Sequence, residues 1–151
     1  MMDSIDIQLL EILQNDGRIT VSELSKALSL SRPSVTERLT RLMEKGIISK
    51  ISAIVPPPKV GRELLLFIQV SQVKVPYSEF ESFIVDHPDI IECHRITGVV
   101  DYLLKVAVND MEHLRKVSDE LLKYGNINSS IVLKSPITGK NILPSVDNKF
   151  E

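Results

Sequence analysis

The sequence predicts an α+β chain in two parts: an N-terminal winged helix-turn-helix and a C-terminal ferredoxin-like βαββαβ unit. Three observations predict it. Apolar residues recur at helical spacing in three short segments before Gly46. Pro56-Pro57-Pro58, followed by Gly61, then interrupts every regular pattern. Beyond that break the period changes to aliphatic, β-branched runs alternating with two helical stripes. The expected organisation is 1–55 for the first domain, 56–62 for a stiff extended linker, 63–140 for the second domain and 141–151 for a poorly ordered tail.

The first helix follows from Ile5, Leu9, Ile12 and Leu13, spaced to share one face, with Asp3 to cap it and Asn15-Asp16-Gly17 to end it. The second starts at a capping-box pair, Thr20 and Glu23, and carries Val21, Leu24 and Leu28 inward. Only Ser29-Leu30 separate it from the third, which Ser31 caps and where Pro33 falls in a first turn that loses nothing by lacking its N–H. Val35, Leu39, Leu42 and Met43 form its inner face, Gly46 supplies a left-handed stop, and IISKISAIV reads as a short β wing. In the second part, strands are expected over 64–75, 90–97, 101–108 and 127–133, and helices over 78–87 and 111–122. That order is the split βαβ pattern, which puts both helices on one sheet face and leaves the other to be covered by a second subunit.

Composition removes several functions. The single cysteine, Cys93, rules out an internal disulfide. With 5% aromatics and no Trp, stacking on single-stranded bases is not expected. No basic, cleavable leader and no apolar run of membrane length is present, so a cytoplasmic protein without a membrane partner is expected. His87, His94 and His113 lack metal-ligand spacing. Cys93 and His94 are adjacent on a strand, so their side chains point to opposite faces and form no dyad. No catalytic residue, metal or cofactor is expected.

The net charge is −2, but it is unevenly laid down. Residues 1–30 carry Arg18 and Lys26 against Asp3, Asp6, Glu11, Asp16 and Glu23. Residues 31–50 carry Arg32, Arg38, Arg41, Lys45 and Lys50 against Glu37 and Glu44. A helical bundle with a solvated charged face would explain the apolar stripes equally well. It would not explain a two-residue turn followed by a locally positive helix. Those features point to double-stranded DNA, with the start of the third helix in the major groove. Hydroxyl side chains and arginine reach base edges there, and the remaining cations neutralise phosphates.

The run DIQLLEILQNDGRITVSELSKALSLSRPSVTERLTRLMEKGIIS resembles the N-terminal half of the Lrp/AsnC regulators. So does Glu92-Cys93-His94-Arg95-Ile96-Thr97-Gly98, followed by Asp101-Tyr102-Leu103-Leu104, in the C-terminal half. The resemblance implies a transcription regulator that pairs through its βαββαβ domain, assembles as an octamer of four dimers and responds to an amino-acid effector. It places the effector at the loop between the second and third strands. Here that loop is Thr97, Gly98, Val99, Val100 and Asp101, with valines where the family often has a polar or aromatic residue. Backbone amides at Gly98 suit a carboxylate and Asp101 an ammonium; a plain hairpin that Asp101 merely caps is the alternative. Ser129 and Ser130 are further candidates. For DNA the expected residues are Ser31, Arg32, Ser34, Thr36, Glu37 and Arg41, with Arg38 and Lys50 on phosphates or the wing. Two other functions stay open: an architectural DNA-binding protein without an effector, and a siroheme-decarboxylase-like enzyme on the same scaffold.

Overall fold

A computed structural model describes residues 2–144. The expected tail, 141–151, therefore lies outside the described residues beyond Pro144. The chain divides into two units: the described residues of Met1–Ile54 and Ile137–Glu151, and Val55–Pro136. The first unit takes back residues 137–144, so the second stops short of the expected 140.

In the first unit, helices α1 (Ser4–Asn15), α2 (Val21–Ala27) and α3 (Arg32–Glu44) close on Leu9, Leu10, Leu24, Leu28, Val35 and Leu42. The caps are as read from the sequence. Asp3 and Asp6 bond reciprocally at the start of α1, Thr20 and Glu23 at α2, and the Ser31 hydroxyl accepts the Ser34 amide at α3. Gly46 ends α3 with a φ of 67°, the left-handed stop. Between α2 and α3 the same left-handed duty falls to Ser29, at φ 54°.

Three details differ from expectation. The buried stripe of α1 is rotated, so that Leu9 and Leu10 are buried with Asp6, while Ile5, Ile12 and Leu13 are half-buried. Met43 is exposed rather than inward. The wing forms no β ladder: 49–56 is irregular, because a strand needs a partner to satisfy its backbone and none of the described residues supplies one. Gly17 lies in the turn that ends α1, as expected. Its lack of a side chain admits Ile51, whose Cγ2 would stand 3.2 Å from an added Cβ.

The prolines do not extend the chain. Pro57–Val60 is a 3₁₀ turn closed by Gly61 at φ 81°. Proline's fixed φ suits a first helical turn as well as an extended connector, and its missing N–H costs nothing there.

The second unit is a four-stranded antiparallel sheet of order β2-β3-β1-β4. Its elements are β1 (Leu64–Ser71), α4 (Tyr77–Asp86), β2 (Ile90–Arg95), β3 (Tyr102–Val108), α5 (Met111–Leu122) and β4 (Asn126–Ile131). β1 ends four residues early because Gln72 turns to φ 52° and leaves the ladder. Leu66, Ile68 and Val70 of β1 and Tyr102, Leu104 and Val106 of β3 meet Phe80, Ile84, Leu114, Val117 and Leu121 of the helices. Alternation places Leu65, Phe67 and Leu103 on the opposite face, which neither helix of this unit covers.

Candidate nucleic-acid interface and effector loop

The third helix sorts its cations into two groups. Asp6 is 1% exposed, and a buried carboxylate needs cationic or hydrogen-bond partners. Arg38 Nη1 donates to its Oδ1 at 2.6 Å and to Asp3 at 2.7 Å, and Arg41 Nη2 donates to both oxygens of Asp6 at 2.9 Å. These two arginines, three residues apart and so one above the other on α3, fasten it to α1. The Asp6 amide first, then Arg38, holds the Asp3 carboxyl below its ordinary value, and Asp3 and Asp6 raise Arg38 in turn. Arg41, expected to meet DNA, turns instead to Asp6, a residue for which no such part was expected. The signal was present: Asp6 stands three and four residues before Leu9 and Leu10, a carboxylate on an apolar stripe.

Arg32 is different. It donates to the Ser22 hydroxyl at 3.0 Å, and no carboxylate among the described residues pairs with it or with Lys50. Ser31, Arg32, Thr36 and Glu37 are exposed around the start of α3 and Ser34 is half-buried. The Ser31 and Ser34 hydroxyls lie 2.8 Å apart, and Thr36 Oγ1 donates back to the Arg32 carbonyl at 3.0 Å. Lys50 is exposed on the irregular segment after α3.

In the second unit, the loop from Ile96 to Asp101 closes through the Ile96 amide on the Asp101 carbonyl at 3.0 Å. Gly98 turns it at φ 117°, a conformation that side chains resist. Among the described residues no acceptor takes the amide N–H of Thr97, Gly98, Val99 or Val100. The Asp101 amide donates to the Val70 carbonyl at 2.9 Å, and its Oδ2 accepts the Val73 amide at 3.2 Å. Val99 is 94% exposed at the tip.

The structure does not bring Ser129 and Ser130 to this loop. Tyr102, next to the loop, pairs with Val70, which pairs with Ile127; the serines sit opposite Ile68 and Phe67, on opposite sheet faces. At ~3.3 Å per residue they stand about 7–10 Å further along the strand from Ile127. What does lie beside the loop is Gln72, held by Asn126 Nδ2 at 2.8 Å. The strand register that places it there was not readable from one strand at a time.

Cys93 faces the helices and His94 the open sheet face, as their adjacency requires. Burial first, then the nearby Glu81, pushes the Cys93 thiol up, away from a nucleophilic thiolate. Among the described residues no group of His, Cys, Asp and Glu could hold a metal ion, and no helix is long and apolar enough to cross a membrane.

Comparison with known proteins agrees with this division of labour. The winged helix-turn-helix DNA-binding family matches residues 2–49, and the Lrp/AsnC ligand binding domain matches 65–142. The HTH-type transcriptional regulator FL11 of Pyrococcus furiosus is 36% identical over 119 residues, covering 79% of each chain. The leucine-responsive regulatory protein of Klebsiella pneumoniae is 37% identical over 133 residues, covering 85% of this chain and 81% of that one. A transcriptional regulator from Neisseria meningitidis, solved as its L-Met complex, superposes with a TM-score of 0.87 at 32% identity, covering 94% of this chain and 96% of that one. These relatives are transcriptional regulators, which favours the regulator reading over the decarboxylase alternative. The chain is a DNA-binding transcriptional regulator and belongs to the Lrp/AsnC family.

Proposed function

We propose that the chain acts as a homodimer in the cytoplasm. It presents the start of α3 to the major groove and takes a free amino acid at the β2–β3 loop. The observation that carries the DNA half is the division of cations on α3. Arg38 and Arg41 are engaged by Asp6, whereas Arg32 and Lys50 have no carboxylate partner among the described residues. On this reading Ser31, Arg32, Ser34, Thr36 and Glu37 meet base edges, Lys50 meets a phosphate, and Arg38 and Arg41 set the angle of the helix.

The unpaired amides of Thr97 to Val100 support a carboxylate there, and the Asp101 oxygen left free by Val73 supports an ammonium. The L-Met bound by the Neisseria regulator supports an amino acid as the ligand class. Ser129 and Ser130 have no part in this reading. Leu65, Phe67 and Leu103 on the uncovered sheet face, beside the Lys105–Glu92 ion pair, support pairing through that face. Four such dimers would make the octamer that the family resemblance implies.

The test is a fluorescence-anisotropy titration on DNA from upstream of the chain's own gene, with and without a pool of the twenty amino acids. Binding that shifts with the pool, and a shift that disappears in Asp101→Ala while DNA binding remains, is the expected result. A normal shift in Asp101→Ala would move the pocket elsewhere. No shift with any amino acid would leave the architectural reading.

A further inference from the structure

The segment after α3 carries Lys50 but has no β ladder to hold it. Two features flank it. On one side Gly17 lets the turn after α1 sit directly against Ile51. On the other, the chain returns to the first unit after Pro136 and lays residues 139–144 along the same cleft. Leu10 and Leu13 of α1, Ile48 and Ile51 of the segment, and Ile142 and Leu143 of the returning chain line it together.

The returning chain is fastened to the end of α1. Gln14, in the last turn of α1, clamps the backbone of Ile142 with both ends of its amide. Its Oε1 accepts the Ile142 N–H at 2.8 Å, and its Nε2 donates to the Ile142 carbonyl at 3.0 Å. Asn141 Nδ2 adds a bond to Asn15 Oδ1 at 3.0 Å. A side-chain amide thus gives Ile142 the reciprocal pair of bonds that a neighbouring strand would give it. Ile142 is otherwise 82% exposed, so apolar burial of its own side chain does not explain its placement.

We infer that residues 139–144 are a strap that pre-orders the Lys50 segment for DNA, and that Gln14 is the positioning residue that fastens it. The inference rests on the proposed phosphate contact of Lys50. A segment without a ladder must otherwise be ordered at the moment of binding, and that entropy is subtracted from the contact. Gln14 acts through the strap and touches no DNA.

The experiment uses the full chain. Amide hydrogen exchange at Ile142 is measured alongside DNA affinity at several salt concentrations for wild type, Gln14→Ala, Gln14→Glu, Lys50→Ala and the Gln14→Ala/Lys50→Ala double variant. In Gln14→Ala, exchange at Ile142 rises about tenfold or more. The salt slope falls toward that of Lys50→Ala, by about 0.9 for each chain bound. Gln14→Glu keeps the acceptor and loses the donor, so both readouts lie between. The double variant binds no more weakly than Lys50→Ala, since both remove one contact. Unchanged exchange in Gln14→Ala would overturn the strap. Faster exchange with unchanged DNA binding, where Lys50→Ala weakens it, would overturn the positioning role alone. Unchanged DNA binding in Lys50→Ala would overturn both the phosphate contact and the inference built on it.

Discussion

Replacing Asp6 by Ala should destabilise the first unit and leave the second untouched. Asp6 is 1% exposed, accepts three hydrogen bonds from Arg38 and Arg41, and its Oδ2 also takes the Asp3 amide at 3.2 Å. Removing one partner of a buried ion pair costs about 3–5 kcal/mol. The side chains of Arg38 and Arg41 are 20% and 39% exposed, so both can turn to water once released. That places Asp6→Ala near the lower end, about 3 kcal/mol. Asp6→Asn keeps the shape and one acceptor but not the charge, and should cost about half as much. The chain supplies its own way to separate the units. It has no Trp, and its three tyrosines, Tyr77, Tyr102 and Tyr124, all belong to the second unit. In urea, with a slope of ~1.5 kcal/mol/M, the helical circular-dichroism transition of the first unit should move down by about 2 M. The tyrosine fluorescence transition should stay in place. A shift of the first transition below about 0.3 M would refute the reasoning, because the ion pairs would then contribute nothing net.

Three further outcomes follow from individual turns and caps. Ser29→Gly relieves a non-glycine residue at φ 54° and should stabilise the first unit by about 0.5–1 kcal/mol in the same urea assay. Gly125→Ala would place a carbon 2.8 Å from the Ser71 carbonyl, so the β1–β4 junction must shift; a loss of about 1–3 kcal/mol in the tyrosine-reported transition is expected. Asp3 and Glu23 are held below their ordinary values of 3.8 and 4.5, first by the Asp6 amide and by the Thr20 hydroxyl respectively. A depressed carboxylate stabilises the folded state above its unfolded pKa and loses that effect as pH falls through the folded one. The caps' contribution to the first unit's denaturation midpoint should therefore be complete and independent of pH near neutrality and should start to fall below about pH 4.5.

Much of this was legible in the sequence because the signals are local. Caps at Asp3, Thr20 and Ser31, the stop at Gly46 and the bounds of α5 each depend on residues within a turn of one another. The βαββαβ order was legible because each period is long enough to count. What was not legible depends on pairing between distant segments. Whether IISKISAIV becomes a strand depends on a partner elsewhere. Whether Arg41 faces DNA or Asp6 depends on how α3 crosses α1. The prolines at 56–58 fit both a 3₁₀ turn and an extended connector, and local chemistry did not choose between them. The same limit separated Ser129 and Ser130 from the loop, since their distance is set by the register of three strands. Gln14 gave no sign at all, because a polar residue on a helix surface has no visible partner until the chain returns to it.

On the proposed reading Arg32 and Lys50 meet DNA while Arg38 and Arg41 hold the helix. The most direct measurement is the salt dependence of DNA affinity for Arg32→Ala and Arg41→Ala, under conditions where circular dichroism shows both folded. Arg32→Ala is expected to lower the slope by about 0.9 for each chain bound if Arg32 meets a phosphate, or to relax sequence preference if it meets a base. Arg41→Ala is expected to leave the slope unchanged and to lower the stability of the first unit. A slope that falls in Arg41→Ala with stability intact, and is unchanged along with sequence preference in Arg32→Ala, would contradict it.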